Sequence, residues 1–157
     1  MCTIRFNSRS RDFAWLSNMF PCKITVSGIT HLDQRLQQTE WSCSEAIYQA
    51  SKFKSAEIQE QFIPLNGFKA KSLAKTFKTL IRPDWESIKL SIMEQLVATK
   101  FDQHPSLRNR LLATRDTQLI EDASWEEYSY WGIGRKGGEN HMGRILMKLR
   151  DSYYLSN

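Results

Sequence analysis

An apolar stripe of Trp85, Ile88, Ile92, Leu96 and Thr99 constrains this chain more than any other feature. Residues three and four apart share one face of an α-helix, so the stripe commits about four turns to lie along a core on one side. Pro83-Asp84 opens that helix and His104-Pro105 closes it. Helical spacing governs the chain from residue 42 onward. A helix is predicted from 42 to about 53, with continuation towards 61, and a short one over 69–77 beyond the breakers Pro64, Asn66 and Gly67. Another carries Leu107, Leu111 and Leu112, and a last one over 141–153 packs Ile145, Leu146 and Leu149. The first forty residues read differently. Segments 3–6 and 22–26 have strand character, a Ser27-Gly28 turn follows the second, and 119–121 adds a short extended piece. No repeat, low-complexity tract or Pro/Ser-rich linker interrupts the chain. The expectation is an α+β fold, a helix-dominated single domain over 1–157 with a small, mostly antiparallel β-element near the N-terminus.

Composition narrows the class. Hydrophobic residues make up 41 % of the 157, too many for a disordered chain. No apolar run approaches the ~20 residues of a membrane span, and the polar N-terminus lacks a signal-peptide apolar region. The chain is expected to be soluble and cytoplasmic, with no membrane partner. Cys2, Cys22 and Cys43 form no CxxC pair, and His31, His104 and His141 stand apart, so reduced thiols and no metal are expected. A net charge of +5 favours anionic partners, phosphates or nucleic acid.

Two segments carry candidate chemistry. Ser42 and Glu45 have capping-box spacing, and the helix they open sets Glu45, Tyr48, Gln49 and Lys52 at intervals of three, four and seven, one strip holding a carboxylate, two hydrogen-bonding groups and an amine. The competing reading makes Glu45 a cap and Lys52 a solvated surface lysine. The second segment, 130–140, holds four of the seven glycines within seven residues and feeds the last helix. Gly132 and its neighbours would let backbone approach a ligand, with Arg135 and Lys136 adding charge and Asn140 placed to cap the helix, an arrangement suited to a phosphate. An ordinary loop ending in a helix cap is the alternative. Trp131 would stack on a base or sugar, or pack in the core.

Taken in order, WLSNMFP at 15–21, WSCSEAIYQASKF at 41–53, DWESIK with a later Met and KF at 84–101, LLATRD…LIE at 111–121 and WGIG…GGEN.MG..LM.LR at 131–150 resemble the YbiA-like family, also called NADAR. The resemblance implies a small helix-rich α+β domain that hydrolyses N-glycosidic bonds. Its members act on ribosyl-phosphate aminopyrimidines of early riboflavin synthesis, or remove ADP-ribose from guanine in nucleic acid. It carries the family's motif residues onto Glu45 and Lys52, expected to be catalytic, Trp85 and Trp131, expected to wall the sugar or base, and Asn18 and Asn140; Tyr48 and Gln49 of the helical strip and Gly132, Arg135 and Lys136 of the loop complete the expected binding site. Two departures stand out. Tyr128 occupies a position where the family usually has an acid, and Ala70-Lys71-Ser72-Leu73-Ala74 lacks the glycine that ends the family's corresponding segment.

Breaking a ribose C–N bond builds positive charge at the anomeric carbon, which calls for a carboxylate to stabilise charge or direct water. Glu45 suits that role. Lys52 would instead attack the same carbon, or the ring-opened aldehyde, as an amine forming a Schiff base, provided burial or a neighbour lowers its pKa. No cofactor is required. The expected partner is a phosphorylated ribosyl small molecule or an ADP-ribosyl group, with modified nucleic acid as a second substrate class and a non-catalytic ADP-ribose-binding module as the rival of another kind.

Overall fold

A computed structural model describes residues 2–156, and the chain divides into two compact units, 18–103 and a unit joining 2–17 to 104–156.

In the unit spanning 18–103, strand β2 (Ile24–Thr25) pairs antiparallel with β3 (Glu40–Trp41), and the ladder is prolonged by the Val26 N–H donating to the Thr39 carbonyl at 3.0 Å. This is the expected antiparallel element. Four helices follow: α1 (Ser44–Ala50), α2 (Ala56–Glu60), α3 (Gly67–Thr76) and α4 (Trp85–Gln103). All seven residues of α1 are buried, because α3 covers one side of it and α4 another. Burial on every side leaves α1 little room to continue. It stops at Ala50, where the Ser51 hydroxyl turns back to the Ile47 carbonyl at 2.8 Å. The expected run to 53 or 61 is therefore two helices, and α2 has its own cap, Ser55 accepting from the Ile58 N–H at 3.3 Å. Helix α3 begins two residues before the expected 69, capped by the Asn66 side chain on the Lys69 N–H at 3.0 Å.

The long stripe is where the spacing placed it. Trp85, Ile92 and Leu96 of α4 are buried, with Ile88 and Thr99 half-buried beside them. Met93, Val97, Phe101 and Lys100 widen the buried face. Lys100 is 1 % exposed, its ammonium 5.5 Å from the Phe20 ring centroid and 5.3 Å from that of Phe101. Burial pushes its pKa down from 10.5 to about 8.

In the other unit, β1 (Thr3–Phe6) pairs in parallel with β4 (Gln118–Glu121), Thr3 opposite Gln118 and Phe6 opposite Glu121. Strand β1 thus stands outside the antiparallel element expected near the N-terminus. Its partner lies more than a hundred residues along the chain, and α5 (Pro105–Ala113) precedes that partner. Helix α6 (His141–Leu155) packs on β4 and on α5. Gly143 permits the close approach: a Cβ there would lie 2.1 Å from the Leu119 carbonyl oxygen. Met142, Ile145 and Leu146 of α6 meet a core that includes Phe6, Leu111 and Leu119. Strands β5 (Tyr128–Ser129) and β6 (Gly137–Gly138) form a second short parallel pair. Among the described residues no helix is long and apolar enough to cross a membrane.

Candidate active site

Glu45 lies in the first turn of α1 and is 5 % exposed. The capping box anticipated from Ser42 is not formed. Cys43 occupies the cap position without a side-chain bond, while the Ser42 hydroxyl donates to the Leu65 carbonyl. The Asn18 carbonyl takes the Glu45 N–H instead, at 3.1 Å, so α1 is capped by backbone from a distant segment. Released from capping, the carboxylate of Glu45 accepts the Gln49 side-chain N–H at 2.7 Å and faces the Lys71 ammonium at 4.0 Å. Gln49 is 4 % exposed, and its carbonyl oxygen has no hydrogen-bond partner among the described residues.

Lys52 follows the end of α1, its N–H donating to the Gln49 carbonyl at 3.3 Å, so the turn carries the helical face one step further. Its ammonium stands 5.6 Å from the Tyr48 ring centroid and 5.7 Å from the Trp85 ring. Tyr48 and Trp85 meet edge to face at 5.0 Å. Burial depresses the Lys52 pKa, and Lys71 and Lys89 push it the same way, while Glu45 and Glu86 oppose them. The result is an amine held below its ordinary value beside a buried carboxylate. Trp85 is 7 % exposed, so its ring backs the Lys52 amine rather than standing open as a wall. Asn18 is buried, its amide nitrogen 2.6 Å from the Met93 sulfur and its oxygen unpartnered among the described residues.

Glycine 67 makes this cluster compact. A Cβ there would fall 2.6 Å from the Met19 sulfur, the far end of a flexible side chain, and 3.2 Å from the Glu45 Cβ, so glycine lets the start of α3 rest against Glu45 without displacing either. Lys71, one turn further along α3, then reaches the carboxylate. Lys71 carries no spacing signal in the sequence, although it stands in the segment that lacks the family's glycine.

The glycine-rich segment has a different logic. A Cβ on Gly132 would lie 2.3 Å from the Glu121 carbonyl oxygen, on Gly134 2.7 Å from that of Glu127, and on Gly138 2.1 Å from that of Gly132. Those glycines let backbone pack on backbone. The N–H groups of Arg135 and Lys136 donate to the carbonyls of Glu126 and Glu127 at 2.9 and 2.8 Å. At the start of α6 the N–H groups of Asn140, His141 and Met142 donate to Gly132, Tyr130 and Trp131. The donors expected to hold an anion are thus engaged within the loop. The Arg135 guanidinium donates to the carbonyls of Ser124 and Trp125, each at 3.2 Å, and Lys136 pairs with Glu127 at 3.0 Å. Asn140 occupies the α6 cap position at φ 53°, but its side chain ties down β4, donating to the Leu119 carbonyl at 2.9 Å and accepting from the Glu121 N–H at 3.0 Å. Trp131 is half-buried, edge-on to Tyr130 at 4.9 Å and near His141, which contacts Glu139 at 2.7 Å.

A helix-rich α+β chain with a buried carboxylate beside a desolvated lysine is the class that these observations define. The NADAR domain model matches residues 5–153, and the chain belongs to that family. It is 36 % identical over 150 residues to the riboflavin biosynthesis protein VVA0006 of Vibrio vulnificus, covering 94 % of this chain and 38 % of that protein, so it spans about two fifths of that relative's length. It is 34 % identical to the N-glycosidase YbiA of Escherichia coli, covering 94 % of this chain and 86 % of YbiA, and 35 % identical to the N-glycosidase Npun_R5314 of Nostoc punctiforme, covering 95 % and 91 %. The solution structure of Escherichia coli YbiA superimposes with a TM-score of 0.83 at 31 % identity, covering 99 % of this chain and 86 % of that one.

Proposed function

We propose that this protein is an N-glycosidase whose substrate is a phosphorylated ribosyl compound, with Glu45 and Lys52 carrying the reaction. One observation carries the reading: the amine of Lys52, packed against the Tyr48 and Trp85 rings with its pKa depressed by burial, lies within electrostatic reach of the buried carboxylate of Glu45. A lysine at its ordinary pKa is a protonated bystander at neutral pH, whereas burial, by lowering that pKa, raises the share of the nucleophilic neutral amine. That amine attacks the anomeric carbon as the C–N bond to the base breaks, and the departing base leaves with a proton delivered through Glu45. The sugar opens to an imine on Lys52. Water then adds to the imine carbon, Glu45 takes the water's proton, and collapse of the adduct frees the sugar and restores the amine. Tyr48 and Trp85 shield the amine from solvent while it is neutral.

The names of the relatives from Escherichia coli and Nostoc support this reaction class, and the riboflavin name of the Vibrio relative supports ribosyl-phosphate aminopyrimidines as the first substrates to try. The charge of +5 gives the second reading, removal of ADP-ribose from modified nucleic acid, its own support. The test is release of free base from each substrate, followed chromatographically with the purified protein. Release is the expected result. Tight binding of ADP-ribose without release of base from any ribosyl compound would make the chain a binding module instead.

A further inference from the structure

Resting on that reading, we infer that Lys71 holds the phosphate of the substrate, so that the anion site is built on α3 beside Glu45. The substrate proposed above carries a phosphate, and the loop that seemed made for it already engages Arg135, Lys136 and the N–H groups at the start of α6 within itself. Arg135 and Lys136 are held by the carbonyls of Ser124 and Trp125 and by Glu127, and the N–H groups at the start of α6 by carbonyls of 130–132.

Three observations turn attention to Lys71. It is brought to Glu45 by a glycine that exists for close approach, since a Cβ on Gly67 would crowd Glu45 and Met19. Its ammonium reaches the carboxylate only at 4.0 Å, the outer edge of an ion pair, with half of the side chain in solvent. A phosphate oxygen can therefore take that ammonium without breaking a close hydrogen bond. Lys89, the other lysine that acts on Lys52, is already in contact with Glu86.

The second half of the ligand is marked by Gln49. Its side-chain N–H is committed to Glu45, yet its carbonyl oxygen is buried and unpartnered among the described residues. A buried acceptor left empty is costly unless a ligand fills it, and a ribose hydroxyl is a donor of the right size. The sugar then lies at Glu45, Gln49 and Lys52, and its phosphate on Lys71.

The experiment measures binding of ribose 5-phosphate and of ribose by calorimetry to the wild-type protein, Lys71→Ala, Lys71→Arg and the double variant Arg135→Ala/Lys136→Ala, with free-base release recorded on the same samples. Lys71→Ala should weaken ribose 5-phosphate about tenfold or more and leave ribose unchanged, a charge-assisted phosphate contact being worth at least that factor. Lys71→Arg should keep most of the phosphate preference, and the double variant should keep all of it. The inference is overturned if Lys71→Ala weakens both ligands alike or neither, if the double variant is the one that loses the preference, or if the wild-type protein binds neither ligand. Loss of phosphate preference in Lys71→Ala, in a protein that releases no base, would leave the phosphate site standing and overturn the glycosidase reading alone.

Discussion

Replacing Glu45 by Gln separates the catalytic from the structural role of this carboxylate. In the folded protein Glu45 makes one close bond, from the Gln49 amide at 2.7 Å, and one distant pairing, with half-exposed Lys71 at 4.0 Å. A glutamine keeps the shape and offers its own carbonyl to Gln49, so a charge-assisted bond becomes a neutral one, a loss of about 1 kcal/mol. The pairing with Lys71 adds about 0–1 kcal/mol because solvent screens it. Relief from burying a charge works in the other direction. The balance is a destabilisation of no more than about 1–2 kcal/mol, a fall in melting temperature of roughly 2–8 °C for a chain of this size. Turnover should fall at least ~100-fold, the value of a positioned general acid or base. Thermal unfolding and base release on the same preparation make the comparison. A folded variant with near-normal turnover would refute the role of Glu45.

Gly67→Ala should displace the Met19 side chain and press α3 away from Glu45, lowering base release more than stability because alanine's better helix propensity offsets the crowding, measured by turnover and urea unfolding. Lys100 should make stability depend on pH. Its folded pKa of about 8 lies below the ordinary 10.5, so between those values the unfolded chain binds the proton more readily and the native state gains stability as pH rises, about 3 kcal/mol in all at about 1.4 kcal/mol per pH unit. Lys100→Met should flatten that slope in unfolding curves and stabilise the protein at neutral pH; an unchanged slope would contradict the burial argument. The rate of base release should climb with pH along a limb set by Lys52, with its midpoint below 10.5, because burial favours the neutral amine.

What the sequence disclosed and what it hid divide along the range of the interactions involved. The α4 stripe is a property of spacing alone, and it appeared where expected. The same spacing contains Lys100, four residues after Leu96, and a charged residue at such a position gives no sequence signal of burial. The strip of Glu45, Tyr48, Gln49 and Lys52 was legible because it is local, and it survives although the helix ends at Ala50. The capping box failed because Leu65, more than twenty residues away, takes the Ser42 hydroxyl and Asn18 supplies the cap. The glycines of 132–138 were visible as unusual, yet their reason lies in the carbonyls of Glu121 and Glu127, which only the folded chain brings near. Lys71 was hidden likewise, since its nearness to Glu45 depends on how α3 packs on α1.

The central claim, a Glu45–Lys52 pair that opens a ribose C–N bond through the lysine amine, is tested most directly by trapping. Borohydride added during turnover reduces an imine to a stable secondary amine, and peptide mass spectrometry locates it. A sugar adduct on Lys52 is the expected result, and Lys52→Arg, which keeps the cation but cannot form an imine, should lose both the adduct and most of the base release. A wild-type protein that turns over substrate with no adduct on Lys52, together with a Lys52→Arg variant that releases base at the normal rate, would contradict it.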